Sequence, residues 1–250
     1  MHPNLFSIGP ITFHAYGLMA AIGIMSASWY LAKHAGDIGG TKDQMIDLLL
    51  ISVVSGFAAA RALYVAYEWE YFKQNPLEIL AIWNGGIIFY GGLLGGLAGL
   101  FIYTKRLGWP VLKTLDLFTP ATALAQGFGR IGCFLNGCCY GKETGCFLGV
   151  RFPSHPLPLH PTQLYDSALC FLLFVILVKF YSKNRSRAGS TSLLYFTLQP
   201  IGRFTIEFFR NDMAKLLFGL TFGQWMSIGI FAVAIIFALI LKQRPGVAQV

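Results

Sequence analysis

Arg61, Arg130, Arg203 and Glu207 stand inside stretches of sequence that are otherwise apolar enough to cross a lipid bilayer. A charge at mid-membrane costs about 2.5–3.5 kcal/mol, while each Leu, Ile, Phe or Val returns only about 0.3–0.6 kcal/mol. Such residues usually face a protein interior or a wet cavity, and they usually serve function. Three cations to one anion point to a cavity built for an anion. Gln199, Arg203, Glu207 and Arg210 fall at i, i+4, i+8 and i+11, which is one polar stripe on a 3.6-residue helix. Arg203 and Glu207 are spaced to pair. A purely structural ion pair satisfies the same spacing, and Arg210 has the alternative of snorkelling to an interface.

Arg130 belongs to Gly129-Arg130-Ile131-Gly132-Cys133-Phe134-Leu135-Asn136-Gly137-Cys138-Cys139-Tyr140-Gly141. Glycines let backbone N–H groups approach a ligand, and arginine presents a planar fork matched to phosphate. At headgroup depth the obvious anion is a phosphodiester; snorkelling is the plain alternative. Arg61 lies within two turns of the end of its stretch. His14 and Tyr16 open the first apolar stretch. His160 opens the fifth, with Gln163 and Tyr165 in the same first turn or so and Pro161 in a position suited to a helix start. The spacing alone does not define a catalytic site.

Of the five cysteines, Cys133, Cys138, Cys139 and Cys146 cluster in sequence, and Cys170 stands apart. Their spacing fits no zinc framework, and no metal or other cofactor is expected. Disulfides, or thiols acting as small apolar groups, are the plain readings; Cys138 and Cys139 would then be structural, bridged to Cys133 or Cys146. No C-x-x-C pair supports thiol redox chemistry.

The elements that position these residues follow from composition. The chain of 250 residues is 55% hydrophobic and 12% charged, against about 25% charged in soluble domains, and its mean hydropathy is +0.59. The pattern predicts an all-α polytopic membrane protein of one transmembrane domain (1–250). Apolar runs of about 20 residues mark spans, at 13–32, 45–67, 86–104, 115–135, 162–179, 191–209 and 222–241. With the N-terminus outside, the inner loops hold eleven basic residues and the outer connections five; the positive-inside rule therefore favours seven spans with the C-terminus cytoplasmic. The net charge of +8 is thus topological and calls for no nucleic acid. Residues 1–11 lack the basic start of a signal peptide, so the first span is expected to be retained.

Two outer connections stand out. Residues 68–85 are aromatic, with Trp69, Tyr71, Phe72 and Trp83, as suits an arm at the membrane interface. Residues 136–161 form the longest loop, and long loops in compact domains are often functional. Gly91, Gly92, Gly95, Gly96 and Gly99 give the third span a face for close helix packing. No internal repeat supports a transporter of duplicated halves.

The chain resembles the bacterial prolipoprotein diacylglyceryl transferase family. The matching residues are His14-Ala15-Tyr16-Gly17, Trp83-Asn84-Gly85-Gly86, Tyr90-Gly91-Gly92-Leu93-Leu94-Gly95, the 129–141 segment, His160-Pro161-Thr162-Gln163-Leu164-Tyr165, and Gly202-Arg203-Phe204 through Glu207-Phe208-Phe209-Arg210. The resemblance implies a multi-pass enzyme of the bacterial plasma (inner) membrane. Its reaction moves the diacylglyceryl group of phosphatidylglycerol to a cysteine thiol in a lipoprotein signal peptide, releasing glycerol phosphate. Its partners would be that membrane lipid and the signal peptides.

Carried over by motif, Arg130 and Arg203 hold the phosphate, Glu207 orders Arg203, and Tyr90 stands at the catalytic position of the third span. Tyr16, His14, Asn136, Gly141, His160, Gln163, Tyr165, Gln199, Arg61 and Arg210 line the substrate site. The chain departs from the usual pattern at Tyr90 (commonly histidine, often taken as the base), Cys133 (asparagine), Cys138 (glutamate) and Gln199 (tyrosine). The base is therefore left open. A paralogue with another lipid donor or acceptor, a phosphate-type anion transporter and a membrane thiol oxidoreductase are the competing readings.

Overall fold

The computed structural model describes residues 4–8, 11–81, 85–153, 155–210 and 216–242. Trp83 and Asn84 of the family-like segments, and Lys215 and Arg244 of the loop charges, lie outside them. Among the described residues the chain forms a hairpin of β1 (Asn4–Ile8) and β2 (Ile11–His14), followed by eight α-helices: α1 (Ala15–Lys33), α2 (Lys42–Tyr67), α3 (Trp69–Gln74), α4 (Phe89–Arg106), α5 (Val111–Asn136), α6 (Thr162–Lys183), α7 (Ser190–Glu207) and α8 (Phe222–Lys242).

Each of the seven apolar stretches carries a helix. Four of them, α1, α2, α6 and α8, are long and apolar enough to cross a membrane. Glycine, threonine and ionisable residues dilute the apolar content of α4, α5 and α7. The antiparallel hairpin is an element the all-α reading lacks. Its basis is alternation in Phe6-Ser7-Ile8 and Ile11-Thr12-Phe13 around the Gly9-Pro10 turn signal, and the Phe6 and Phe13 rings stack at 4.6 Å. His14 consequently ends β2 opposite Asn4 instead of opening a helix.

The chain divides into two compact units, Leu31–Thr114 and the remainder, Met1–Tyr30 with Leu115–Val250. In the first, α2 starts on a capping box between Thr41 and Gln44, which satisfies orphan N–H groups at the helix end. It then packs closely on α4. A Cβ on Gly91 would lie 2.6 Å from the Ala59 carbonyl oxygen, and one on Gly56 would lie 3.0 Å from that of Gly92. The glycine face is thus a packing face, as small residues allow in lipid. Residues 68–81 hold α3 and the 3-10 turn Pro76–Leu80.

In the other unit, Ala123, Leu173, Leu177 and Tyr195 form a buried cluster joining α5, α6 and α7. Asp116 of α5 fixes the start of α7: its carboxylate accepts from the N–H groups of Gly189 (2.6 Å) and Ser192 (2.7 Å) and from the Ser192 hydroxyl (2.9 Å). That carboxylate does the work of an N-cap from another helix. Helix α8 is inside-out. It buries Gln224 and Ser227 and exposes Val233, Ile235, Ile236 and Leu239, the distribution expected when the surrounding solvent is lipid.

Candidate active site

Three helices bring their ionisable residues to one point. Asp166, on the second turn of α6, accepts Arg130 Nε of α5 at 2.8 Å and Arg203 Nη1 of α7 at 3.4 Å, both on Oδ2. Arg203 Nη2 also donates to Glu207 Oε2 one turn along α7. The other Glu207 oxygen accepts from the Thr221 hydroxyl at 3.1 Å, and Thr221 in turn caps α8 in a reciprocal pair with Gln224. The carboxylate side chains are 2% (Asp166) and 1% (Glu207) exposed, against 25% for Arg130 and 17% for Arg203. The carboxylates are thus the more deeply buried partners, and the arginines keep more of their surface exposed.

Asp166 corrects the expected balance of three cations to one anion. It and Asp116 lie within helices that were expected to span, and the cluster of Arg130, Arg203, Asp166 and Glu207 is formally neutral. A signal for Asp166 exists in the sequence. Thr162, Gln163, Asp166, Ser167 and Cys170 share one face of α6, and all are buried. Arg210, itself buried, adds a cation whose field acts on Arg203.

Residues 138–142 and 159–160 are held against the start of α6 and the end of α7. Gly141 donates its N–H to the His160 carbonyl at 2.8 Å, and Lys142 donates to that of Phe209 at 2.7 Å. A side chain at Gly141 would collide with the Phe209 carbonyl oxygen, Thr162 and His160, so only glycine permits the closure. Gln163 Nε2 donates to the Cys138 carbonyl at 2.5 Å and the Thr162 hydroxyl to that of Cys139 at 2.8 Å. His160 Nδ1 lies 3.1 Å from the Tyr165 hydroxyl, and both rings pack on Phe209.

Tyr16, on the first turn of α1, lies against Gly132, where an added Cβ would be 3.1 Å from its ring. Asn136 ends α5 and hydrogen-bonds the Cys138 thiol. Gln199 is half-buried one turn before Arg203. These residues therefore share a unit with Arg130 and Arg203, as does His14 on the hairpin.

Arg61 and Tyr90 belong to the other unit. Tyr90 is half-buried on the first turn of α4. The Arg61 guanidinium donates to the backbone carbonyls of Glu78 (2.6 Å), Gly85 (2.7 Å), Ile79 and Gly86 (both 3.0 Å) and Ala81 (3.4 Å). It also lies over the rings of Tyr64 and Phe72. These contacts staple the segment that leads into α4, whose turn runs through Gly85 and Gly86 at φ 80° and 74°.

All five cysteines are unbridged, so the expected disulfides from Cys138 and Cys139 are not formed. Instead the sulfurs of Cys133, Cys138 and Cys139 converge to within 4.8 Å of one another. The Cys139 thiol is lowered to about 5, first by the hydrogen bond with the Cys133 thiol. Desolvation opposes this, while Cys138, Arg210 and Arg130 reinforce it.

The model of the family described as prolipoprotein diacylglyceryl transferase matches residues 3–240. The chain belongs to the prolipoprotein diacylglyceryl transferase family. A phosphatidylglycerol–prolipoprotein diacylglyceryl transferase of Clostridium tetani (strain Massachusetts / E88) is 38% identical over 241 residues, covering 92% of this chain and 96% of the relative. A protein of Clostridium perfringens (strain 13 / Type A) with the same name and the number 2 is 36% identical, covering 87% of each. One from Pasteurella multocida (strain Pm70) is 37% identical, covering 91% of this chain and 85% of its own. The match takes in both units, so the family assignment concerns the Arg61–Tyr90 region as well as the arginine cluster.

Proposed function

We propose that the chain transfers the diacylglyceryl group of phosphatidylglycerol to the lipobox cysteine of prolipoproteins, the lipid-attachment step of lipoprotein maturation. The observation that carries this reading is the convergence of Arg130 and Arg203 on the buried carboxylate of Asp166 in a member of this family. Asp166 engages Arg130 through Nε, which leaves the outer edge of the guanidinium fork for a phosphate. Glu207 and Asp166 together fix Arg203. With Arg210 the arginines outnumber the two carboxylates by one, an excess that suits an anionic ligand.

In the reaction the acceptor sulfur attacks the glyceryl carbon that bears the phosphate ester. The C–S bond forms, the C–O bond breaks, and the electron pair leaves on glycerol phosphate, which gains a second negative charge. Arginines already oriented toward that phosphate stabilise the transition state more than the bound lipid. Tyr16, His14, Asn136, Gly141, His160, Gln163, Tyr165 and Gln199 bound the lipid and peptide; the roles of Arg61 and Tyr90 are carried over by motif alone. Tyrosine, with an ordinary pKa of about 10, is a poor base at neutral pH, so Tyr90 is assigned to binding and orientation.

The reading places the protein in the bacterial inner membrane as one transmembrane domain with seven spans, N-terminus outside and C-terminus cytoplasmic. The 68–85 arm and the 136–161 loop then lie at the outer headgroup level, where phosphatidylglycerol and signal peptides meet. The test is to incubate the purified protein with phosphatidylglycerol and a lipobox peptide and to weigh the peptide. A diacylglyceryl mass gain on the cysteine is expected. An unmodified peptide, with folded protein, sinks the proposal.

A further inference from the structure

We propose that Cys133, Cys138 and Cys139 form a site for one thiophilic divalent cation, zinc by preference, whose fourth position is open to the thiol of the acceptor peptide.

Cys133 sits on the last turns of α5, and the other two follow just past its end. Gly137 (φ 73°) and Cys139 (φ 64°) are both left-handed. A non-glycine residue there costs about 1–2 kcal/mol, and this reversal returns the chain toward Cys133. The Cys138 and Cys139 sulfurs are 3.6 Å apart, and all three lie within 4.8 Å of one another. Zinc bonds thiolate at about 2.3 Å, which puts two sulfurs of a tetrahedral site roughly 3.8 Å apart. A disulfide would use two of the sulfurs and strand the third, whereas a cation engages all three.

The surroundings fit the charge. A divalent cation with three thiolates carries one net negative charge, and both Arg210 and Arg130 are within electrostatic reach of Cys139. The ligand loop is held from behind by Gln163 and Thr162, which donate to the carbonyls of Cys138 and Cys139; support of this kind sets ligand orientation. The three cysteines are each only part-buried, which suits a site that admits a fourth ligand.

Binding displaces to solvent whatever thiol protons remain on the three cysteines and involves no redox change. A peptide thiol that enters the fourth position is ionised by the cation and releases its proton to solvent. This role rests on the transferase reading proposed above. It supplies the ionised sulfur that Tyr90 does not.

The experiment titrates the reduced, metal-free, full-length protein in detergent with Co2+, because zinc is spectroscopically silent. A sulfur-to-cobalt charge-transfer band saturating at one ion per chain and displaced by Zn2+ is expected. Cys138→Ser or Cys133→Ser should weaken binding by at least about a hundredfold, since loss of mere supporting contacts already costs about 10–100-fold. Cys146→Ser should bind normally, and thermal unfolding of the apo forms checks that the variants are folded. A cysteine-containing lipobox peptide should shift the cobalt spectrum, and its serine counterpart should not. Absence of the band in folded wild-type protein, or its persistence in folded Cys138→Ser, overturns the site. A band that the cysteine peptide leaves unmoved overturns the open position. Because cobalt binding needs no lipid donor, failure of the mass-shift assay would sink the transferase reading without altering this result.

Discussion

Arg130 and Arg203, on different helices, share one oxygen of Asp166 at 2.8 and 3.4 Å. One buried carboxylate therefore sets the separation of the two forks that face the proposed phosphate. Its second oxygen accepts no hydrogen bond among the described residues. The arrangement is one of orientation, and its consequences can be measured.

Asp166→Asn keeps the shape and removes the charge. Misplacing a reacting group by about 1 Å can cost about 10²-fold, so kcat should fall by about that factor with KM changed much less. Asp166→Ala should also lower stability, by less than the about 3–5 kcal/mol of a fully buried pair, because Arg130 and Arg203 are only part-buried and Arg203 keeps Glu207. Steady-state kinetics and thermal unfolding in detergent check the two effects.

Arg130→Ala and Arg203→Ala should each reduce transfer by about 10²–10³, the usual loss for one donor to developing negative charge. Arg203→Lys should remain poor, because a single ammonium cannot serve Asp166 and Glu207 and also a phosphate as a planar fork does. Near-normal turnover in a folded Arg203→Lys protein would show that the group acts only as a bulk charge.

Gly141→Ala places a methyl group against the Phe209 carbonyl, Thr162 and His160. Overpacking of this kind costs about 1–3 kcal/mol, and the 137–161 loop must shift to relieve it. Transfer should drop together with the melting temperature. An unchanged melting temperature would mean that the loop is not closed in this way.

Arg61→Ala removes the donor for five backbone carbonyls between Glu78 and Gly86. Proteolysis of residues 68–86 should accelerate strongly. Arg61→Lys should rescue little, since lysine offers three donors and no planar fork. Protease resistance equal to wild type in both variants would remove the staple role.

Reporter fusions check the orientation. A fusion within residues 136–161 should report the outer face, in line with the excess of basic residues in the alternate loops. A cytoplasmic signal from that loop would reverse the proposed topology.

Sequence alone was enough for what lipid and helix periodicity impose on every residue. Apolar runs located the seven long helices, because a span must satisfy its own backbone hydrogen bonds. The spacing of Arg203 and Glu207 determined their pairing, since residues four apart share a helix face. The glycines of α4 announced a close packing face.

Tertiary structure decided which charges meet. Asp166 is a lone acidic residue in an apolar helix until α5 and α7 bring Arg130 and Arg203 to it. Arg61 has the same residue type and a similar span position as Arg130, yet its fork is bound to carbonyls up to 25 residues away in the chain. The three thiols fit no metal-binding spacing, and only the end of α5 followed by two left-handed residues brings them together. The physical reason is common to all three cases. Periodicity reports which way a side chain points on its own helix, whereas the partner that sets its energy lies on another helix or beyond a turn, at a distance no local pattern encodes.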